Sequence, residues 1–266
     1  MSDDEGVQSG ATRKKRGSYS VGRSTRTTII RGAAQLLSTR GYYGFSLRDL
    51  ADEIGVSHPT VMYHFPTKDA LVLHVIHAFE DAFGIFDVDV VTREGAEGEA
   101  DQLVLEERGA KVDTMNEWIA AHLRLAAASD NQIMTDLDRV FTVESVNESH
   151  PAHDHFSYRV EAMLQLLERL AEKMPDRDPD NPVDTRRLVE RWYGMVILGG
   201  WDGERFDSRE LIVKYLAFAV RELHYSAEQL LALGSMIPRK AAAPFQQLLV
   251  EYLKSKLLST SMRMGS

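Results

Sequence analysis

Residues 46–65 read SLRDLADEIGVSHPTVMYHF, and they predict two short helices joined by a tight turn. Ser46 and Ser57 each precede a run at helical spacing, where a serine hydroxyl can accept a backbone N–H as an N-cap. Gly55 lies between the two runs and supplies the backbone freedom that a sharp turn needs. Pro59 falls in the first turn of the second helix, where its missing N–H costs little. The pattern is typical of a helix-turn-helix whose second helix lies against DNA.

The two faces of the second helix differ in chemistry. Val61 and Phe65 are four residues apart and should face the protein interior. The opposite face carries Thr60, Tyr63 and His64, which are polar or aromatic and include no acid. Such a face can reach bases and phosphates. The alternative interpretation is an ordinary helical hairpin with no DNA contact.

Helices are predicted on both sides of the motif, and they favour the DNA-binding interpretation. Upstream, apolar residues at helical spacing predict a helix that ends at Arg40 and Gly41; these residues are Ile29 or Ile30, Ala33, Leu36 and Leu37. Downstream of Pro66, residues 68–79 predict another helix. Four helices between residues 25 and 79 make a complete small DNA-binding domain.

The segments GYYGFS (41–46) and HFPTKDAL (64–71), which flank the motif, complete a pattern over residues 25–79 that resembles the N-terminal domain of the TetR family of bacterial transcription regulators. The resemblance implies an all-α homodimer, with a small helix-turn-helix domain and a larger helical-bundle domain for regulation and dimerisation. It also implies that a ligand releases the DNA. The predicted DNA-contacting residues are Ser46, Arg48, Ser57, His58, Pro59, Thr60, Tyr63, His64 and Lys68, of which Ser46 and Lys68 would hold phosphates.

One position departs from the family pattern. The family usually has a tyrosine that contacts the DNA backbone at the position of Met62, whereas this chain has its tyrosine one residue later, at Tyr63. A methionine cannot donate a hydrogen bond to phosphate. The resemblance therefore does not carry that contact over to Met62.

The charge distribution independently favours a nucleic-acid partner. Residues 6–48 contain nine Lys or Arg and no acid, although the whole chain has a net charge of −9. The first 68 residues carry a net charge of +4, and the other 198 carry −13. This asymmetry suits a chain that presents one end to phosphate. The basic run at residues 13–16 is expected to lie in a disordered tail that adds non-specific DNA affinity.

Composition excludes several classes of function. The 266 residues contain no cysteine, which excludes disulfides and thiol chemistry. The chain has neither a signal-peptide core nor an apolar run long enough for a membrane span, and we expect a cytoplasmic protein. A phosphate-binding glycine loop, a nucleophile elbow, a zinc-protease motif and a dinucleotide fingerprint are all missing from the sequence. The sequence thus gives no support to an enzyme and implies no cofactor.

We divide the chain by composition and periodicity into five parts. They are a disordered basic tail (1–22), the helix-turn-helix domain (23–84), an acidic loop (85–111) with a short helical piece at 101–108, a ligand-binding and dimerisation domain (112–224) and a C-terminal helical extension (225–266). From residue 112 onward the period is helical. The predicted helices span residues 112–128, 131–143, 154–174, 185–199, 208–224, 228–233 and 245–258.

The C-terminal helices contain candidates for an effector pocket and for a dimer interface. Methionine and aromatic side chains suit an adaptable apolar pocket, and the pocket candidates are Met115, Trp118, Met134, Phe141, Met163, Trp192 and Met195. The family resemblance places the helices 185–199 and 208–224 in a four-helix dimer interface, with Trp192, Val196, Tyr215, Ala219 and Val220 as candidates. The alternative for both sets is ordinary core packing within one protomer.

Three histidines and an acid cluster in SHPAHDHF, residues 149–156. His150, His153 and His155 have the chemistry of zinc ligands. The segment also has the character of a helix start, and similar sequences recur in relatives without implying a metal. We therefore predict no metal site.

These observations together favour a dimeric regulator that binds palindromic operator half-sites on double-stranded DNA. We expect a repressor that a small apolar or amphipathic ligand relieves. One alternative is a DNA-binding regulator gated by a protein partner or by its own abundance. Another is a catalytic helical bundle, for which the SHPAHDHF histidines are the only candidates.

Overall fold

A computed structural model of the chain describes residues 15–95, 100–127, 131–174, 182–198, 214 and 217–237, together with residues 243, 245–247, 249–251 and 254. Its first part contains the four helices that the sequence predicts: α1 (Lys15–Arg40), α2 (Leu47–Ile54), α3 (His58–His64) and α4 (Lys68–Phe83). Helix α1 packs against both α2 and α4. The helices enclose a core whose most deeply buried members include Ile29, Leu37, Leu50, Val61 and Phe65.

Helix α1 corrects the prediction that residues 1–22 are disordered, because it begins at Lys15. The polar, glycine-containing composition of residues 15–22 suggested a tail. However, extending a helix that is already packed adds one hydrogen bond for each residue fixed and avoids the cost of nucleation. Residues 1–14 of the predicted tail lie outside the described residues.

The predicted acidic loop at 85–111 is wrong, and so is the helical piece within it. Strands β1 (Phe86–Arg93) and β2 (Gln102–Ala110) form an antiparallel hairpin. Phe86 and Val88 are buried, while Asp87 between them is exposed, which is the alternation of a half-buried strand. Asp87 and Val88 pair with Gly109 and Glu107, so Arg108 is the extra residue of a bulge in β2, next to Gly109 with its φ of +128°. The acidic residues of the alternation suggested a loop, but they occupy the solvent face.

The C-terminal part confirms the predicted helices to within a few residues at each described end. Helices α5 (Met115–Ala127), α6 (Asn131–Glu144), α7 (His153–Glu172), α8 (Thr185–Leu198) and α9 (Ala227–Ser235) follow the hairpin. Residues 217–222 are helical, as are the described residues between 243 and 254. Apart from the hairpin, the secondary structure of the described residues is helical, so the predicted helical class is confirmed for them with the hairpin as its exception. The structure describes no helix long and apolar enough to cross a membrane.

Two hydrophobic clusters organise the packing. The N-terminal cluster contains the core of helices α1–α4, and it extends to Leu137 and Phe141 of α6 and to Phe156 of α7. The C-terminal cluster joins Phe83 and the hairpin to α5, α7, α8 and α9. Since α4, α6 and α7 contribute to the contact between the two parts, helices α1–α4 are packed onto the C-terminal helices through an apolar interface.

Candidate nucleic-acid interface

Local hydrogen bonds fix the helix-turn-helix in its shape. Ser46 caps α2 in a capping box with Asp49, and the two side chains satisfy each other's backbone N–H groups. Gly55 ends α2 in the left-handed conformation, with a φ of +70°. Ser57 then caps α3, because its side chain accepts from the N–H of Thr60 at 3.2 Å. The turn angle is therefore set by capping residues that the sequence predicted.

The outer face of α3 is open to solvent. Tyr63 is 84% exposed and Met62 is 44% exposed, whereas Val61 and Phe65 are buried. The rings of Tyr63 and His64 lie edge to face, with centroids 5.2 Å apart. Arg48 and Pro59 are also exposed, while His58 and His64 are half-buried. Helix α3 thus presents an aromatic ring and imidazoles, and α2 adds the exposed guanidinium of Arg48; such groups can bind the edges of bases in a groove.

Two predicted contacts have competing partners within the protein. The hydroxyls of Ser57 and Thr60 lie 2.7 Å apart in a hydrogen bond, so both already belong to the cap of α3. The Lys68 ammonium donates to the carbonyl oxygens of Tyr42 and Phe45 and lies 4.1 Å from the centroid of the Phe45 ring. Burial lowers the pKa of Lys68. Lys68 thus fixes the connector between α1 and α2, and its contact with phosphate stays a prediction.

The connector is also held from the C-terminal part of the chain. The N–H of Tyr42 donates to Oε2 of Glu144 at 2.8 Å. Gly41 adopts a φ of +69°, and a Cβ there would lie 2.1 Å from Oε1 of Glu144, so only glycine lets the carboxylate approach. His150 is buried, lies 3.7 Å from the same carboxylate and stacks edge to face on the Tyr42 ring. The end of α6 and the loop after it therefore contact residues 41–46, the connector that leads into α2.

A second, buried group of charges links α4 to α6 and α7. Nη1 of Arg159 donates to Oδ1 of Asp138 at 2.6 Å, and Nε of Arg159 lies 3.5 Å from Oε1 of Glu80. His155 lies 3.1 Å from that oxygen. Burial alone would raise the pKa of Glu80, but the charge of Arg159 and the hydrogen bond with His155 bring it below its usual value. For Asp138 the burial outweighs Arg159, and its pKa is raised.

The SHPAHDHF histidines thus have separate partners. His150 accepts from the N–H of Ala152 at 3.1 Å through Nδ1 and faces Glu144 with Nε2. Nδ1 of His153 is 2.8 Å from the carbonyl oxygen of Ser145. His155 belongs to the Glu80 group. Within the described ranges, no three His, Cys, Asp or Glu residues are arranged to hold a metal ion.

Glu144, Glu80 and Arg159 were not among the predicted functional residues. A signal for the last two exists in the sequence, because each occupies an apolar position of its helix. Glu80 lies between Phe79 and Phe83 on the buried face of α4, and Arg159 lies one turn after Phe156 on α7. Charged residues at such positions are almost never buried without a partner. No comparable pattern marks Glu144, whose partner is 102 residues away.

The predicted pocket residues lie in the interior where they are described. Met115, Trp118, Phe141 and Met163 are at most 3% exposed, and Met134 is half-buried. Phe141 packs in the N-terminal cluster, where its ring meets Phe79. The side chains of Trp192 and Met195 lie outside the described residues. Burial agrees with a pocket lining and with plain core packing alike, so the pocket stays a prediction.

The dimer candidates are described only in part. The side chains of Trp192 and Val196, and the whole of Tyr215, lie outside the described residues. Ala219 has no exposed surface within the protomer, which favours the alternative that it packs the monomer. Val220 is half-buried against the C-terminal cluster. Glu222 joins this helix to α8, since its carboxylate accepts from Arg187 and Arg191, each at 3.0 Å.

Comparison with known proteins identifies the N-terminal part. Residues 29–75 match the family model described as bacterial regulatory proteins, tetR family. The HTH-type transcriptional regulator EthR of Mycolicibacterium smegmatis is 33% identical to this chain over 69 residues. That alignment covers 26% of this chain and 32% of the relative, so the chain matches about a third of the relative's length. The resemblance predicted from the helix-turn-helix residues is confirmed.

Solved structures show lower similarity. CprB, a TetR family protein from S. coelicolor A3(2), shares 16% identity and a TM-score of 0.48, with 87% of this chain and 97% of that chain covered. A protein of Saccharomonospora viridis, solved in complex with choline, shares 17% identity and a TM-score of 0.47, with 75% and 97% covered. Because these scores are low, the similarity to the tetR family depends on residues 29–75, which match the family model.

Proposed function

We propose that this chain, whose residues 29–75 match the tetR family model, is a transcriptional regulator of that family that binds operator DNA. The observation that carries the proposal is the geometry of α3. Its inner face is locked by Val61 and Phe65 in the core, while Tyr63 on its outer face is 84% exposed. A large aromatic ring on a rigid, acid-free surface gains most when it packs against a partner. The net charge of +4 over residues 1–68 makes DNA the fitting partner.

Within this proposal, residues of α2 and α3 make different kinds of contact with DNA. Arg48 is exposed on the first turn of α2 and can make a bidentate contact with guanine or hold a phosphate. Tyr63, His64 and His58 face the groove or its rim. Ser46 and Ser57 present the capped N-termini of α2 and α3, where backbone N–H groups favour phosphate.

We further propose that the chain acts as a homodimer on two half-sites and works in the cytoplasm. Two reading helices related by a two-fold axis match a palindromic operator when their separation is ~34–36 Å. In this arrangement, α8 and the helix containing residues 217–222 supply the isologous contact. The ion pairs of Glu222 with α8 keep these two helices together as one surface.

The proposed control is the binding of a small apolar or amphipathic molecule among the C-terminal helices. The buried methionine and aromatic side chains there suit such a ligand. Ligand binding would favour a dimer whose reading helices no longer match the half-sites. A movement of α6 or α7 would reach the DNA-binding helices through two contacts. Glu144 of α6 binds the connector, and Arg159 of α7 binds Glu80 of α4.

The test begins with the DNA itself. Duplexes are selected from a randomised pool by the intact chain, and the enriched sequence is titrated by fluorescence anisotropy while the mass of the complex is measured. The proposal expects a palindromic site bound by two protomers. Enrichment of no sequence, with only weak binding that salt abolishes, would contradict it.

A second experiment separates the two forms of control. A library of apolar and amphipathic compounds is screened for thermal stabilisation of the chain, and hits are tested for release of the selected duplex. Release by a compound supports ligand-relieved repression. If no compound both stabilises the chain and releases DNA, the alternative of a regulator gated by a protein partner or by abundance is favoured.

A further inference from the structure

Helix α1 begins well before its first buried side chain. It starts at Lys15, but Ile29 is the first buried residue among the side chains that the structure describes, from Gly22 onward. Residues 15–28 span about 21 Å at ~1.5 Å per residue. They also precede the segment at 29–75 that matches the family. We call residues 15–28 the extension of α1, and burial in the core does not explain its described side chains.

The chemistry of this extension suits phosphate. Residues 15–28, KRGSYSVGRSTRTT, contain four basic residues and no acid. Arg23 is exposed, and no ion pair within the described part of the chain involves it. The hydroxyls of Thr27 and Thr28 donate to the carbonyl oxygens of Arg23 and Ser24, both at 3.0 Å. The extension is therefore a positively charged helix, and among its described side chains Arg23 and Arg26 form no ion pair.

One contact places the extension beside the reading helix. The guanidinium of Arg26 lies over the ring of Phe65, 4.9 Å from its centroid. Phe65 is the C-cap of α3 and follows directly on Tyr63 and His64. The extension therefore passes the end of α3, and the turn with Arg23 comes next along α1. Arg23 is exposed one turn before Arg26, which packs at the end of the reading helix next to Tyr63 and His64.

We propose that residues 15–23 of α1 contact the phosphates of the DNA that flanks each half-site, a proposal that rests on the proposed function. Arginine and lysine neutralise backbone charge without reading sequence. The extension thus adds affinity and fixes register, while α3 reads the bases. The other 198 residues carry a net charge of −13, which disfavours their contact with phosphate.

The test compares three forms of the full chain. One carries Lys15→Gln, Arg16→Gln and Arg23→Gln. A second carries only Arg23→Gln, which changes a described, exposed side chain. The control carries Arg169→Gln, Lys173→Gln and Arg186→Gln, an equal loss of charge at exposed positions of the C-terminal helices and the loop after α7. Circular dichroism confirms that each form keeps its helices.

The probe is the duplex that the intact chain selects from a randomised pool, used in two lengths. The short form ends at the half-sites, and the long form extends each end by roughly one helical turn, ~10 bp. Anisotropy titrations at salt concentrations from about 50 to about 200 mM give the slope of log affinity against log salt concentration. The slope falls by ~0.9 for each phosphate that the protein no longer neutralises, or about 2 for one phosphate per protomer of a dimer.

The proposal expects the intact chain and the control to bind the long duplex more tightly than the short one. The triple variant should bind both duplexes equally and should show a reduced salt slope. Arg23→Gln should give an intermediate slope. If the triple variant keeps the slope and the gain of the intact chain, the proposal is overturned while the proposed function stands. If the intact chain selects and binds no duplex, both are overturned.

Discussion

The N–H of Tyr42 donates a hydrogen bond of 2.8 Å to Oε2 of Glu144, so a carboxylate at the end of α6 holds the connector of the DNA-binding helices. The connector leads directly to Ser46, which caps α2. A shift at the end of α6 would therefore move the start of the helix-turn-helix. This bond is one of the contacts that join the part of the chain in which we propose ligand binding to the part in which we propose DNA reading.

Glu144→Ala should weaken operator binding although Glu144 is not expected to touch DNA. The connector loses its acceptor, and the free energy of unfolding should fall by about 1.5–3 kcal/mol, the range for a hydrogen bond to a charged group. Glu148→Ala is the matched control, because Glu148 is exposed in the same loop. DNA affinity is measured by anisotropy and stability by urea unfolding. Equal DNA affinity for the two variants would show that the Glu144 contact does not affect the reading helices.

Arg159→Met should destabilise the protein by about 3–5 kcal/mol, because it leaves Glu80 and Asp138 buried without their cation. Adding Glu80→Gln and Asp138→Asn removes the uncompensated charges and should recover part of the loss. Urea unfolding of both variants measures the difference. A single variant as stable as the intact chain would show that Arg159 is not the counterion of these acids.

The histidine at the connector gives a pH dependence with a defined sign. Burial lowers the pKa of His150 to about 4, while an unfolded chain would have a value of ~6.5. The unfolded state therefore binds more protons between these values, and the contribution of His150 to stability is present above pH ~6.5 and is lost as the pH falls toward about 4.

His150→Asn should reduce this dependence by up to about 1.4 kcal/mol per pH unit in that window. The asparagine keeps an acceptor near the N–H of Ala152 and cannot titrate. Urea unfolding at several pH values from about 4.5 to about 7.5, which cover most of this window and the plateau above it, gives the slope. An unchanged slope would assign the acid sensitivity to other groups.

Local patterns predicted most of the fold. The apolar spacing of α1–α7 and the caps at Ser46, Gly55 and Ser57 act within a few residues, so the sequence shows them directly. The hairpin was missed because Asp87 and Asp89 gave the segment an acidic character, although they alternate with Phe86, Val88 and Val90 as strand residues do. The first turns of α1 were missed because a helix can extend through polar residues once it is anchored.

The interdomain contacts could not be predicted in the same way. Glu144 and Tyr42, like Glu80 and His155, are far apart in sequence, and no local spacing encodes which partner each will meet. Burial of a charge on an apolar face could have marked Glu80 and Arg159 as residues with partners. The identity of those partners depends on how α4, α6 and α7 pack, which only the structure shows.

The central claim, that α3 reads DNA with its exposed face, is tested most directly by one anisotropy titration. It compares Tyr63→Ala with Tyr158→Ala on the duplex that the intact chain selects. Both tyrosines are well exposed, at 84% and 72%, and Tyr158 lies on α7 away from the helix-turn-helix. We predict that Tyr63→Ala loses about tenfold or more in affinity, equivalent to ~1.4 kcal/mol, while Tyr158→Ala binds as the intact chain does. Equal affinities for the two folded variants would contradict the account.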